Sequence, residues 1–217
     1  MENTQVLLAD DHQVMRRGLR AVIDTMEGWS VCAEVATGRE AVDAAEKFKP
    51  QIAILDFSMP ELNGLEATRQ IKKVSPTTEV LIFTGLETEE LVRQVFDAGA
   101  RSYILKTDGK DHLERALRSL ATHKPYFTTQ IGEILFSRML QGKKAAESEP
   151  GVGRLSDRER EIVQLLCEGK SNKEVADTLG ISVKTAETHR AAVMKKLQLK
   201  AFSELVRYAI RNNIISA

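Results

Sequence analysis

Cysteine is scarce: Cys32 and Cys167 are the only two in 217 residues, far apart and without C-x-x-C spacing. Both sit inside apolar patterns, which points to buried thiols and away from a disulfide framework or a thiolate metal site. Long hydrophobic runs are missing too. No stretch reaches the ~18 consecutive apolar residues of a membrane span, and the opening MENTQVLLADD has neither a basic leader nor a sustained apolar segment. A soluble, cytoplasmic protein with no membrane partner is the expectation. Net charge is absent overall, with 31 Lys/Arg against 31 Asp/Glu. The balance is nevertheless uneven: residues 1-122 carry 15 Lys/Arg and 20 Asp/Glu, whereas residues 154-217 carry 12 and 8, giving −5 and +4. A basic excess of that size permits nucleic-acid binding but does not establish it. Neither an internal repeat nor an extended low-complexity tract is present.

What is present divides in two. A chain of 217 residues is long for one compact α/β unit and allows two modest domains, each with its own core. Along residues 1-122, Val/Ile/Leu-rich runs at 5-9, 31-36, 52-56, 79-84 and 102-105 alternate with helical-period segments near 12-26, 38-47, 63-73, 89-98 and 110-121. Such alternation predicts a doubly wound, five-stranded parallel sheet with helices on both faces. Asp10, Asp11, Asp56, Thr84 and Lys106 close or directly follow four of these runs (QVLLA, IAIL, VLIF, SYIL). Ligands of open α/β sheets bind at the carboxyl ends of the strands, so these residues mark the expected active site. Clustered carboxylates repel one another unless a cation lies between them, and all-oxygen ligation favours a hard ion such as Mg2+. A lysine beside them suits a transferred phosphoryl group.

Residues 123-141 form another helical pattern after Pro125, with Ile131, Ile134, Leu135, Met139 and Leu140 on one apolar face. This connector either extends the first domain or bridges the two. The run GKKAAESEPGVG at 142-153 has small, charged, proline and glycine residues and almost no large apolar side chain, which is linker chemistry. From 154 the pattern is purely helical. Ser156-x-x-Glu159 and Ser171-x-x-Glu174 are capping boxes, and Ser182 can cap a third helix. The predicted helices are 157-168, 172-179, 183-197 and 202-212, the second and third joined by a short turn through Gly180. Helix-turn-helix motifs have this form, as do many unrelated helical proteins.

The 183-197 helix carries more information. At 100° per residue, Ala186, Val193 and Leu197 share one face, while Lys184, Thr188, Ala191 and Lys195 share the opposite one. A small, polar or basic stripe lets a helix enter the major groove, with lysines meeting phosphates. Arg190 falls nearer the core side, where an ion pair with Glu159 or Glu161 competes with a phosphate contact; His189 also turns inward.

Together these motifs resemble a specific family. The L-A-D-D run, L-D-F-S-M-P around Asp56, Thr84 in I-F-T-G and Lys106 after S-Y-I-L resemble a two-component receiver domain. L-S-D-R-E-R-E-I, S-N-K-E-V-A and V-K-T-A-E-T-H-R resemble a LuxR-type helix-turn-helix, and the order of the two halves is that of a NarL/FixJ-class response regulator. The resemblance implies that Asp56 accepts phosphate from a histidine kinase. It also implies that Asp10 and Asp11, with Asp56 and the backbone carbonyl of Ser58, hold Mg2+, and that Thr84 and Lys106 contact the aspartyl phosphate. Tyr103 matches the switch aromatic. Lys173, Lys184, Thr185, Glu187, Thr188, Arg190 and Lys195 are the implied DNA contacts on promoter DNA. A homodimer is implied when the protein is phosphorylated or DNA-bound, through a phosphorylation-driven population shift.

Some positions depart from commoner receiver patterns. Gly85 and Leu86 follow the threonine, and Thr107 stands after Lys106 where proline is frequent. Leu86 brings no polar group to position attacking water. The resulting expectation is a phosphorylation-controlled transcription regulator, not an enzyme beyond its own phosphorylation and dephosphorylation. A phosphorylation-switched protein-binding adaptor is the second reading, and the Lys184/Thr188/Lys195 stripe argues against it. A standalone phosphotransfer enzyme is the third, and it lacks a nucleotide-binding loop or an additional catalytic histidine.

Overall fold

The computed structural model describes residues 3-140 and 155-216, which belong to two compact units, Met1–Gly142 and Lys143–Ala217. The first is a parallel sheet in the order β2-β1-β3-β4-β5-β6, built from β1 (Thr4–Ala9), β2 (Trp29–Val35), β3 (Ile52–Leu55), β4 (Glu79–Thr84), β5 (Ser102–Leu105) and β6 (Tyr126–Phe127). Period-two alternation divides its residues between two cores. Val6, Leu8, Ile52, Ile54, Leu81 and Ile104 face one way, where α1 (Gln13–Asp24) and α5 (Lys110–Leu120) cover them with Leu19, Ile23, Leu113 and Leu117. Leu7, Ala9, Ala53, Leu55, Val80 and Ile82 face the other, under α2 (Gly38–Phe48), α3 (Gly64–Val74) and α4 (Glu89–Asp97). Burial on both faces is why β3 (IAIL) and the VLIF run inside β4 are unbroken apolar stretches.

The sheet has six strands among the described residues, where the sequence pattern predicts five. The added strand pairs Tyr126 with Ser102 and Phe127 with Tyr103, in parallel. Two residues are too few to show an alternation, and Pro125 beside them masks even that. β6 leads into α6 (Thr129–Leu140), whose Ile131 is fully buried and whose Ile134 and Leu135 pack on the same core as α4. The connector thus packs onto the first unit as far as Leu135; the linker run at 142-153 lies outside the described residues.

The second unit is helical: α7 (Asp157–Cys167), α8 (Asn172–Leu179), α9 (Val183–Lys196) and α10 (Phe202–Arg211). Ser156 and Ser171 form both expected capping boxes, and Ser182 caps α9 by accepting from Thr185 N at 3.1 Å. Gly180 ends α8 at φ +63°, a left-handed conformation that costs glycine little, and sets the sharp turn into α9. Ile162, Leu165, Leu166, Val175 and Ala186 make one core, and Val163, Val193, Leu205 and Ala209 a second against α10. Among the described residues no helix is long and apolar enough to cross a membrane.

Candidate functional site

Parallel register brings the strand ends level. Asp56 N donates to Ala9 O at 2.7 Å and Lys106 N to Thr84 O at 2.8 Å, so four chain segments meet at one edge. Gly64 holds the α3 start against it: a Cβ there would lie 2.3 Å from Asp56 O, a distance that only glycine avoids.

The side chains converge as the strand-end pattern predicts. Lys106 Nζ donates to Asp56 Oδ2 at 2.8 Å and stands 2.8 Å from Asp10 Oδ2. The other Asp56 oxygen accepts from Phe57 N at 2.7 Å, and Asp10 Oδ1 accepts from His12 N at 2.8 Å. Asp10 and Asp56 are buried, at 1% and 3% exposure, whereas Asp11 is open to solvent. Burial raises the Asp56 carboxyl above the usual aspartate range, with the Asp10 charge adding to it and the Lys106 bond opposing it. Burial works against the Lys106 ammonium, but its bonds to Asp10 and Asp56 outweigh that and hold its pKa above the ordinary lysine value. The lysine is therefore a fixed positive charge.

Lys106 Nζ therefore pairs with both buried carboxylates, and its 2.8 Å contact with Asp10 Oδ2 is an ion pair. A buried carboxylate oxygen is costly unless a cation meets it, and here the ammonium does so. Ligand atoms of Asp10, Asp11, His12 and Asp56 all lie within 4.8 Å of one another, a grouping that suits a divalent ion. His12 was not among the residues picked out by the strand-end pattern. Its place directly after the Asp pair was the available signal, since imidazole is a common metal ligand.

Thr84 is buried beside this edge and its Oγ1 accepts from Leu86 N at 3.2 Å. Tyr103 is fully buried, with its hydroxyl donating to Leu86 O at 2.6 Å; burial pushes its phenol pKa well up. Both therefore grip the same residue of the β4–α4 loop. Ser58 is half-buried in the turn after Phe57, and no described peptide bond is cis, that before Thr107 included.

On α9, the predicted faces hold: Ala186 and Val193 are buried, while Lys184, Thr188, Ala191 and Lys195 are exposed, as are Thr185, Glu187 and Arg190. Lys173 on α8 is exposed as well. Thr188 Oγ1 donates to Lys184 O at 2.8 Å, which leaves its methyl and oxygen lone pairs outward. One expectation changes. Glu159 pairs with Lys196 and Glu161 with Arg158, whereas Arg190 stacks 5.7 Å from the Phe202 ring centre. The start of α10 brings that ring to α9, and an aromatic face supports a guanidinium without consuming its N–H donors.

Comparison with known proteins agrees with this geometry. Residues 6–118 match the response regulator receiver domain, and residues 153–209 match the bacterial regulatory proteins of the luxR family. Over 211 residues the chain is 35% identical to the response regulator protein VraR of Staphylococcus aureus, covering 97% of this chain and 98% of VraR. The RcsB response regulator of Salmonella typhimurium superposes with a TM-score of 0.59 at 26% identity, covering 96% of this chain and 98% of RcsB. A LuxR-family two-component response regulator from Aurantimonas gives 0.59 at 28% identity, over 63% of this chain and 97% of its own. The chain belongs to the NarL/LuxR family of two-component response regulators. It is a phosphorylation-controlled, DNA-binding transcription regulator, whose chemistry is confined to its own phosphorylation and dephosphorylation.

Proposed function

We propose that Asp56 is the phosphate acceptor and that Asp10 and Asp11, with Asp56 and the Ser58 carbonyl, hold Mg2+. The reading rests on one observation: Lys106 Nζ lies 2.8 Å from both Asp56 Oδ2 and Asp10 Oδ2, at a strand edge where ligand atoms of Asp10, Asp11 and Asp56 cluster within 4.8 Å. A phosphohistidine of a partner kinase is the donor. An Asp56 oxygen attacks phosphorus, the N–P bond breaks and its electron pair leaves with the imidazole. Asp10, Asp11, Asp56 and the Ser58 carbonyl would hold Mg2+, which would offset charge on the acid cluster and on the phosphoryl oxygens. Lys106 then pairs with the aspartyl phosphate, and Thr84 turns its hydroxyl toward it, away from Leu86. Released from that grip, the β4–α4 loop and Tyr103 repack, which shifts the population toward a dimerising surface.

In the second unit, Lys173, Lys184, Thr185, Glu187, Thr188, Arg190 and Lys195 form the surface that meets promoter DNA, and two copies reading half-sites about one turn apart form the bound dimer. The protein acts in the cytoplasm, where kinase and promoter are both at hand. The test is Asp56→Asn with acyl-phosphate labelling by mass spectrometry and DNA binding before and after phosphorylation. Labelling is expected to vanish and the phosphorylation-dependent gain in DNA affinity with it. Undiminished labelling rejects the assignment of Asp56.

A further inference from the structure

We propose that Phe202 is a positioning residue for DNA binding, its ring holding the Arg190 guanidinium out from α9 for a backbone phosphate. The inference rests on the reading that α9 meets promoter DNA. Arg190 starts from an unfavourable place. At 100° per residue it falls about 40° from the buried Ala186 and about 120° from Lys184, so its stem leaves the helix beside the core and not from the outward stripe. Yet it is exposed, and among the described residues it makes no hydrogen bond or ion pair. The group it meets is the Phe202 ring, whose centre lies 5.7 Å from the guanidinium carbon.

Phe202 is 39% exposed and belongs to neither apolar core of this unit, so core packing is not what places it. The start of α10 does. Glu204 Oε2 accepts from Lys200 N at 2.7 Å and from Ala201 N at 3.1 Å, which fixes the backbone just before the ring, and Leu205 and Ala209 share a buried core with Val193 of α9. The ring thus stands at a set place beside α9. A π face attracts the guanidinium while leaving its five N–H donors for an acceptor outside the chain. It also restricts a long side chain in advance, so less ordering remains when DNA binds. A carboxylate in the same place would occupy those donors. Phosphate is the acceptor that fits, because DNA presents it along both walls of the groove and a guanidinium matches its geometry with paired hydrogen bonds.

The test uses the full chain and a DNA duplex selected by wild type from a random-sequence pool, with affinity measured by fluorescence anisotropy over a range of NaCl concentrations. Arg190→Ala should weaken binding and reduce the logarithmic salt slope by about one. Phe202→Leu, which keeps an apolar side chain without a π face, should weaken binding by about two- to fivefold, and Phe202→Tyr should bind as wild type does. In the Arg190→Ala background, Phe202→Leu should change nothing further. Proton NMR of wild type should show Arg190 side-chain signals shifted upfield by the ring, a measurement that does not depend on the leucine variant folding. No loss from Phe202→Leu, an equal loss with and without Arg190, a tyrosine variant as weak as the leucine one, or unshifted Arg190 signals would each overturn the positioning role. If Arg190→Ala binds as wild type while Lys184→Ala and Lys195→Ala bind weakly, the inference fails and the α9 surface stands. If all three bind as wild type, or wild type selects no duplex, the α9 reading fails and the inference with it.

Discussion

The acid site and the α9 stripe differ in how the chain builds them. Asp56 and Lys106 are 50 positions apart and meet only because β3, β4 and β5 align, whereas Lys184 to Lys195 lie on one helix of 14 residues. The first group is largely buried and mutually paired, and the second is exposed. Buried charges cost several kcal/mol each in desolvation unless their partners stay in place, while exposed ones cost almost nothing. Substitutions in the first unit should therefore disturb fold and function together, and those on α9 should change binding alone.

The largest test of that contrast is Lys106→Ala. Removing the ammonium leaves Asp10 and Asp56 facing each other in the interior, and should destabilise the first unit by about 3 kcal/mol near neutral pH. The pH dependence carries a sign. Asp56 is already held above its ordinary value by burial, with Lys106 opposing the shift. Without the lysine the folded-state pKa rises further, so stability is present below the ordinary carboxylate pKa and is lost as pH rises through the raised one. Urea unfolding should show a larger deficit at pH 8 than at pH 5, partly repaired by millimolar Mg2+; a deficit independent of pH would remove charge burial as its cause.

Next in size are Glu187→Ala and Thr188→Ala, near the N-terminal half of α9. Each should alter preference at one or two base positions by about 1–3 kcal/mol in a binding-site selection, without changing the unfolding midpoint. Lys195→Ala should weaken all sites alike and reduce the logarithmic salt slope by about one. If Lys195→Ala alone changed the preferred sequence, the docking register would be reversed. The smallest effect is Glu159→Gln. Burial raises the Glu159 carboxyl, but the Lys196 bond and the Ser156 cap outweigh it and hold its pKa below the usual range. The pair lies near the surface, so the loss should be about 0.5 kcal/mol at neutral pH and sensitive to salt. It should disappear in acid, because stability from a lowered carboxylate pKa is lost as pH falls through that pKa.

Legibility in the sequence followed the same division. Strands buried on both faces, such as IAIL, were plain as unbroken apolar runs, and the residues ending them named the acid site before any geometry was known. The α9 faces followed from helical angle alone. Contacts that depend on how elements pack were not legible. For Arg190 the sequence leaves an ion pair with an acid of α7 and a phosphate contact both open, and nothing local shows that α10 starts with Phe202 beside that helix. His12 carries no strand or helix pattern, and its place after the Asp pair is the sole local sign of the 2.6 Å contact it makes with Asp11.

β6 has a consequence for any attempt to cut the chain. Ser102 Oγ donates to Tyr126 O at 2.9 Å, Tyr126 hydroxyl meets His112 Nδ1 at 2.7 Å, and Phe127 packs edge-on to Phe96 with ring centres 5.1 Å apart. These few residues occupy the side of β5 that would otherwise present unpaired backbone groups. A fragment stopped at Thr122 exposes that ladder, together with the apolar surface that Ile131 covers. Open strand edges recruit other chains. A fragment ending after α6 keeps the ladder closed, so the two truncations should differ in aggregation even though both retain every residue of the acid site.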